Sequence, residues 1–322
     1  MPEITVFVPS YNHAPFVERT LRSITAQALQ PKKLIVIDDG SKDESAKVIE
    51  RWFEDNDPPF DWGMIFRENR GLCATLNEGL ARTDTEYFAY LGSDDIWLPD
   101  FLKEQIALLE SRPDAVLAFG HAYVIDEEDN IIDRTDNWTP FADGDMLPML
   151  LRGVIFSSPT VVYRTAAVKK YGWNEDARLE DYELYLKLSR DGEFARNEKV
   201  LSAWRQHGAN TSDDFPLMLR EHIAAQDRLA GHLKLRRDEL DKIQAGMKFH
   251  AVADFVRGGH KREAFRLFWE NRHAAESSAE LVKTAARLMV PQALFQWNRA
   301  RKRRQAIEKY GKLDHPGRNL ER

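Results

Sequence analysis

The chain has 322 residues, 43% hydrophobic and 30% charged, enough apolar material for a sizeable core and, at about 150 residues each, roughly two domains. That composition excludes disordered and collagen-like chains, and a single cysteine, Cys73, excludes a disulfide framework and a cysteine-based zinc site. The net charge of −6 hides an asymmetry: residues 215–322 carry 23 Lys+Arg against 13 Asp+Glu, and the remainder 23 against 39. An acidic body argues against nucleic acid as a partner, and a basic tail points to something anionic. The longest run without Asp, Glu, Lys or Arg, 4–17, and the shorter runs 153–163 and 288–298 all fall short of the ~18 apolar residues of a spanning helix. The opening MPEITVFVPSYN lacks the basic and apolar regions of a signal peptide. The expected location is the cytoplasm.

Residues 4–8 form a short β-branched and aromatic run that ends at Pro9. Residues 16–27 place Phe16, Val17, Leu21 and Ile24 at helical spacing. Residues 34–37 are continuously apolar, as in a strand buried on both faces. Ser41 and Asp43 are candidate caps for a helix over 44–53. A strand at 64–66, a helix over 72–81 and a strand at 87–91 follow. A further helix is expected to begin near Pro99, before a strand region at 115–125. This alternation predicts an α/β domain with a mostly parallel sheet. The stretch 126–160 reads as loops with short strands, and 180–190 as a helix stopped by Gly192. Beyond Asp214 the pattern is helical only, with a helix pair around Gly258-Gly259.

Parallel sheets bind ligands beyond the carboxyl ends of their strands. That rule selects three polar loops, 9–13, 38–42 and 92–97, two of which contain paired aspartates. No GxGxxG follows the first strand, and neither GxxxxGK[ST] nor HExxH occurs. Dinucleotide dehydrogenase, P-loop NTPase and zinc protease readings are weakened accordingly.

The segments ITVFVPSYNHAPFVERTLRSITAQ, LIVIDDGSKDES, ENRGLCATLNEGL and YLGSDDIWLPDFL, then LEDYELYLKLSRDGEF and RQHGANTS, resemble glycosyltransferase family 2 over residues 3–212. The resemblance implies the GT-A nucleotide-diphospho-sugar transferase fold, a mostly parallel Rossmann-like sheet. It also implies an inverting, metal-dependent transfer of sugar from a nucleotide sugar to a hydroxyl. Asp39 would accept a hydrogen bond from the base. A carboxylate suits the imide N–H of uracil or thymine, hence a UDP- or dTDP-sugar. Pro9, Ser10 and Tyr11 would line the other side of the base, with Asn69, Asn77 and Ser93 also at the nucleotide site and Asn77 helping to hold the metal-bearing loop at 92–97. Asp94, Asp95 and His207 would hold Mn²⁺ or Mg²⁺, which suits hard oxygen ligands. Many relatives carry Asp where this chain has Gly92, which weakens any ribose contact from that position. Asp181 would be the general base and Glu180 its orienting neighbour.

Outside the resemblance, residues 215–322 form a helical C-terminal extension. Leu281, Ala285, Leu288 and Met289 lie on one helix face. Past Pro291 come Leu294, Phe295 and Trp297, then Arg299, Arg301, Lys302, Arg303 and Arg304. An apolar, aromatic face beside a basic cluster is the composition of an interfacial helix, so 279–304 is a candidate contact with an anionic membrane at the cytoplasmic face. A helix packed on its own domain is the alternative. The expected protein is therefore a GT-A domain over 1–214 with a helical region over 215–322. It would glycosylate a glycan or polyprenol-linked acceptor. An inactive carbohydrate-binding relative and a nucleotidyltransferase are the rivals, the latter disfavoured because loop 9–13 has no Lys or Arg.

Overall fold

A computed structural model describes residues 2–208 and 213–313. Strands β1 (Ile4–Ser10), β2 (Lys33–Asp38), β3 (Asp61–Phe66) and β4 (Tyr87–Tyr90) pair in parallel in the order β3-β2-β1-β4. They alternate with helices α1 (Val17–Thr25), α2 (Ser45–Asp55) and α3 (Leu72–Ala81). Every residue of β1 is buried because both faces are covered. The two-residue period then deals side chains to two cores. Val6, Val8, Leu34 and Val36 meet Leu21, Ile24, Ile49 and Trp52 from α1 and α2. Phe7, Ile35, Ile37 and Phe88 meet Leu76 and Leu80 from α3. The α/β expectation holds, with boundaries shifted by a few residues. The helix expected near Pro99 starts two residues later, as α4 (Phe101–Ser111), because the Pro99 carbonyl accepts from Ala28 N instead.

Of the second half of the sheet, the strand at 115–125 was apparent in the sequence and its partners were not. β6 (Ala115–Ile125) runs parallel to a long strand, β9 (Glu193–Arg205), and antiparallel to β8 (Val162–Arg164), which joins it to β4. The polar stretch 196–199 in β9 breaks the alternation and coincides with a register shift against β6, between Phe119 and His121. A two-residue strand, β5 (Ile96–Trp97), pairs with β9 at Ala203 and Ser202. A hairpin partner, β7 (Ile131–Arg134), extends β6. Short helices α5 (Leu147–Leu151) and α6 (Thr165–Lys169) lead to α7 (Glu180–Leu188). Residues 126–160 hold loops and one short strand, and also the helix α5, which the sequence pattern does not predict.

The tail comprises α8 (Phe215–Leu229), α9 (Arg237–Arg257), α10 (Lys261–Asn271), α11 (Ser278–Met289) and α12 (Gln292–Tyr310). The turn between α9 and α10 holds Gly258-Gly259, with Gly259 at φ 87°. No break in the core marks residue 214. Ala225, Leu229 and Leu233 belong to the same cluster as Phe7 and Tyr185, and Gln226 Nε2 donates to Tyr182 Oη and to the Leu151 carbonyl. α9, α10 and α11 build a smaller core of Val252, Phe255, Val256 and Leu267, with Leu288 against it. α12 then returns to the sheet. Leu313 is buried with Ile96, Ile125 and Ile131, Tyr310 packs edge-on to Tyr123, and Arg303 pairs with Asp126 at 2.7 Å. Among the described residues, no helix is long and apolar enough to cross a membrane.

One fully buried cation ties these parts together. Arg205, at the end of β9, pairs through Nη2 with Asp129 at 2.6 Å, and both side chains are at most 1% exposed. Removing one member of a buried pair costs about 3–5 kcal/mol, because the other stays desolvated. Arg205→Ala is expected to lose that much unfolding free energy in urea titration. A loss below about 1 kcal/mol would mean that the pair is not a structural anchor.

Candidate active site

The three loops selected from the sequence converge at the carboxyl ends of β1, β2 and β4. They open onto a cleft of about 910 Å³. On one side the backbone of Pro9, Ser10 and Tyr11 faces Asp39 and Asn69. Asp38 is spent on its own turn, accepting from Ser41 N at 2.9 Å and Ser41 Oγ at 2.6 Å. Ser41 therefore does not cap α2. Asp43 accepts from Ser45 N at 3.0 Å, but the N-cap position is Glu44, whose side chain makes no capping bond. Asp39 is buried and held from three directions. Oδ1 accepts from Arg67 and from Arg70 N, and Oδ2 from Gly71 N at 2.8 Å. One Oδ2 lone pair remains for a ligand donor. Asn69 Nδ2 donates to the Asp39 carbonyl.

Asn77 lies elsewhere. Its amide clasps Trp173 at both ends, donating to the carbonyl at 2.9 Å and accepting from N at 2.8 Å. It steadies the approach to α7 instead of the loop after β4, and it is absent from the cleft lining. Its helical position on α3 points it across to residue 173.

The turn after β4 carries the metal-type carboxylate. Asp94 Oδ2 lies 3.0 Å from His207 Nε2, and Oδ1 lies 3.6 Å from His13 Nδ1. Ligand atoms of His13, Asp94 and His207 all fall within 4.8 Å of one another. Asp95 is not part of this group. Its amide turns back to the Gly92 carbonyl, and its Oδ1 accepts from Arg205 N at 2.8 Å. It is a wall residue that fastens the turn to β9. Gly92 leaves room for this arrangement, since a Cβ there would sit 2.9 Å from Asp94 Oδ1 and 3.1 Å from Asp95 Oδ2. Ser93 Oγ sits 2.8 Å from His13 Nδ1 and so steadies that ring. His13 was missed as a site residue. The only signal was a histidine in one of the three selected loops. The resemblance segment RQHGANTS continues into 209–212, outside the described residues.

The electrostatics follow from crowding. Burial pulls His13 below the usual histidine range, whereas the hydrogen bond to Asp94 lifts His207 above it. Burial pushes Asp94 upward, but the His207 hydrogen bond and the two imidazoles outweigh it, and its carboxyl lies below the ordinary range. Burial and then the charge of Asp94 hold Asp95 well above it. Two imidazoles and an ionised carboxylate are a donor set that fits a divalent ion, with Mn²⁺ better suited than Mg²⁺ to the nitrogen ligands.

Across the cleft, Glu180 and Asp181 open α7. Burial raises Glu180, whose Oε1 accepts from Tyr90 Oη at 3.4 Å. Burial and then the charge of Glu180 raise Asp181 well above the carboxylate range. Cys73 is buried, with its thiol pushed up to about 12, chiefly by burial, and is a core residue as expected.

The family model for glycosyl transferase family 2 matches residues 5–172. The chain belongs to this family. It is a glycosyltransferase. A chondroitin synthase of Escherichia coli is 27% identical over 215 residues, 66% of this chain and 30% of that protein. An uncharacterized glycosyltransferase of Rickettsia prowazekii is 24% identical over 258 residues, 76% of each chain. Another, from Nostoc, is 30% identical over 150 residues, so this chain spans 46% of that relative's length. Among solved structures, the mannosyltransferase PcManGT of Pyrobaculum calidifontis, in complex with GDP-Man and Mn²⁺, superimposes with a TM-score of 0.62. The match covers 96% of this chain and 86% of that one at 18% identity. Staphylococcus aureus TarS with UDP-GlcNAc gives 0.58 at 17% identity, covering 92% of each. These likenesses establish the GT-A fold for this family member, with its helical C-terminal region.

Protons compete with a metal for imidazole. His207 is lifted above its ordinary value, so that competition begins at a higher pH than it would for an ordinary histidine. In calorimetric titration, Mn²⁺ affinity is expected to fall as pH is lowered through the His207 pKa. His13→Ala is expected to weaken affinity about tenfold or more at every pH. Unchanged affinity in that variant would remove His13 from the ligand set.

Proposed function

We propose that this glycosyltransferase takes a nucleotide-diphosphate sugar, UDP- or dTDP-linked, and transfers the sugar with inversion to a hydroxyl of a glycan or lipid-linked glycan. The observation that carries this reading is the cleft itself. It brings the His13, Asp94 and His207 cluster and the Glu180-Asp181 pair into one cavity. The base slot between Pro9–Tyr11 and Asp39 lies in the same cavity. Two of the similar solved structures, one in complex with GDP-Man and Mn²⁺ and one with UDP-GlcNAc, support a nucleotide-sugar donor.

His13, Asp94 and His207 would hold the cation. Once bound, it would neutralise the charge that develops on the departing diphosphate. Asp39 and Asn69 orient the base. Asp181 takes the acceptor's hydroxyl proton as that oxygen bonds to the anomeric carbon, and the bond from that carbon to the diphosphate oxygen breaks on the opposite side. Glu180, hydrogen-bonded to Tyr90, holds the pair in place. The raised Asp181 carboxyl is a stronger base once ionised, but it must be ionised to act. Transfer is therefore lost as pH falls through its raised pKa, earlier than an ordinary aspartate would dictate.

A thermal-shift screen of nucleotide sugars with and without Mn²⁺ identifies the donor. Asp181→Asn is expected to bind donor as the wild type does and to transfer sugar about 10²–10⁴-fold more slowly. Near-normal turnover would move the base role to Glu180.

We also propose that the last helices meet an anionic membrane surface. Phe265, Trp269, Val282, Met289, Leu294 and Trp297 are exposed on α10, α11 and α12. Leu294, Trp297 and Arg301 share one face of α12, and the Arg301 guanidinium lies 5.3 Å from the Trp297 ring. Arg303 is committed to Asp126, so Arg299, Arg301, Lys302 and Arg304 are the residues left for lipid. Each contributes about 1 kcal/mol near an anionic surface, and salt screens it. The wild type should sediment with phosphatidylglycerol vesicles and be released as salt rises. Replacing those four by Gln should weaken this without changing donor hydrolysis. Equal recovery of both proteins would make the cluster a solvated helix end.

A further inference from the structure

The cleft has two unlike ends. The residues that would hold a nucleotide sit at the ends of β1, β2 and β3, and the opposite wall comes from the segment that follows β7 and from the end of β9. That wall is aromatic. Trp138, just past β7, and Trp204, near the end of β9, both line the cavity, with Phe141 and Phe156 behind them. The Trp138 ring is 51% exposed even though it stands inside a cleft. It is also fixed. Its Nε1 donates to Asp133 Oδ2 at 2.8 Å, and its edge meets Trp204 with ring centroids 6.0 Å apart and planes at 79°.

The loop that carries Trp138 is held in turn. Asp133 also accepts from Asn137 Nδ2, and Arg134 lies over the Tyr123 and Tyr310 rings. Its indole N–H is satisfied inside the protein, so what this residue offers to the cavity is a ring face. Ser157 lines the same cavity, and its Oγ has no hydrogen-bond partner among the described residues.

We propose that Trp138 and Trp204 form the platform on which the acceptor is recognised, and that the acceptor's reacting end is a saccharide. A pyranose ring has a face of C–H groups and a rim of hydroxyls. The face packs on an aromatic ring, whose electron-rich surface attracts the slightly positive C–H hydrogens. The rim can hydrogen-bond directly or through water. A platform already fixed by Asp133 and Trp204 loses little freedom on binding. A nucleotide would instead need charged and amide groups, and those lie at the other end. The platform therefore assigns the end of the cleft walled by Trp138 and Trp204 to the sugar acceptor. This rests on the transferase reading above, and it selects a glycan acceptor over a lipid or peptide hydroxyl.

The test is binding of the full chain, with Mn²⁺ and UDP present, to a printed array of neutral and acidic oligosaccharides, with solution hydrolysis of the donor measured alongside. The wild type is expected to bind at least one glycan class. Trp138→Ala should reduce that signal about tenfold or more, as truncation of an aromatic anchor does, and Trp138→Phe should retain most of it. Donor hydrolysis should be the same in all three. No glycan bound by the wild type, or equal binding by Trp138→Ala, would overturn the proposal. Loss of donor hydrolysis in Trp138→Ala would also overturn it, by assigning the wall to the donor. Glycan binding through Trp138 without donor hydrolysis in the wild type would keep the platform and reject the transferase mechanism instead.

Discussion

The buried guanidinium of Arg205 is the contact on which the arrangement of the cleft depends. Its backbone N–H anchors Asp95, and its Nε donates to the Asp94 carbonyl at 2.7 Å. Its Nη1 donates to the Asp126 carbonyl, and Nη2 pairs with Asp129, which also takes Arg19 from α1. Phe16 covers it, with the guanidinium carbon 4.7 Å from the ring centroid, and His207 stacks on the same phenyl ring at 5.6 Å. A charge so far from water persists only when every donor has a partner. Meeting that requirement fixes the loop that bears Asp94, the turn 126–130 and the strand end before His207 together.

The same contacts explain why the C-terminal helices are continuous with the catalytic core. Arg303 reaches the Asp126 carboxylate, while Ile131 N donates to the Gly311 carbonyl and Leu313 N to the Asp129 carbonyl. The end of the tail is thus stitched to the turn that Arg205 holds from the other side. α8 packs on α7 through Tyr182, His222 and Gln226, and so supports the helix that begins with Glu180 and Asp181. Both halves of the proposed chemistry rest on tail contacts, yet the outer faces of α10, α11 and α12 keep several large apolar side chains in solvent. A solvent-facing surface of that kind beside basic residues is suited to an interface and adds nothing to the fold.

Adjacent acids in this chain take different roles because the backbone turns between them. Asp38 closes its own turn while Asp39 faces the cleft. Asp94 meets two histidines while Asp95 is fastened to β9. Glu180 and Asp181 both face the cleft, where burial raises both carboxyls and the charge of Glu180 raises Asp181 further. A shared motif therefore does not give its members a shared task. The direction of each side chain from its strand end or first helical turn decides that.

Much was legible in the residues alone. Short β-branched, aromatic and continuously apolar runs specified β1, β2 and β4, since strands covered on both faces must be apolar throughout. The helix over Leu72–Ala81 and the strand over Ala115–Ile125 have the boundaries their patterns imply. The rule that ligands gather at strand ends found the three loops that meet in the cleft. Asp39, Asp94, Asp181 and His207 all line it. Long-range pairing was not legible, because it leaves no local period. The polar interruption in β9 concealed a core strand, and Arg205 looks like any exposed arginine until Asp129 and Asp126 come to it from more than 75 residues away. His13 becomes a candidate ligand only when β1 and β4 lie side by side, and Trp138 becomes a cleft wall only when β7 pairs with β6. The sequence by itself determined the alternation of elements and the acids at strand ends, because these follow from local sterics and burial. Tertiary structure alone decided which acid meets a histidine, which is tied to the wall and where the tail docks. Those outcomes depend on contacts between segments far apart in the chain.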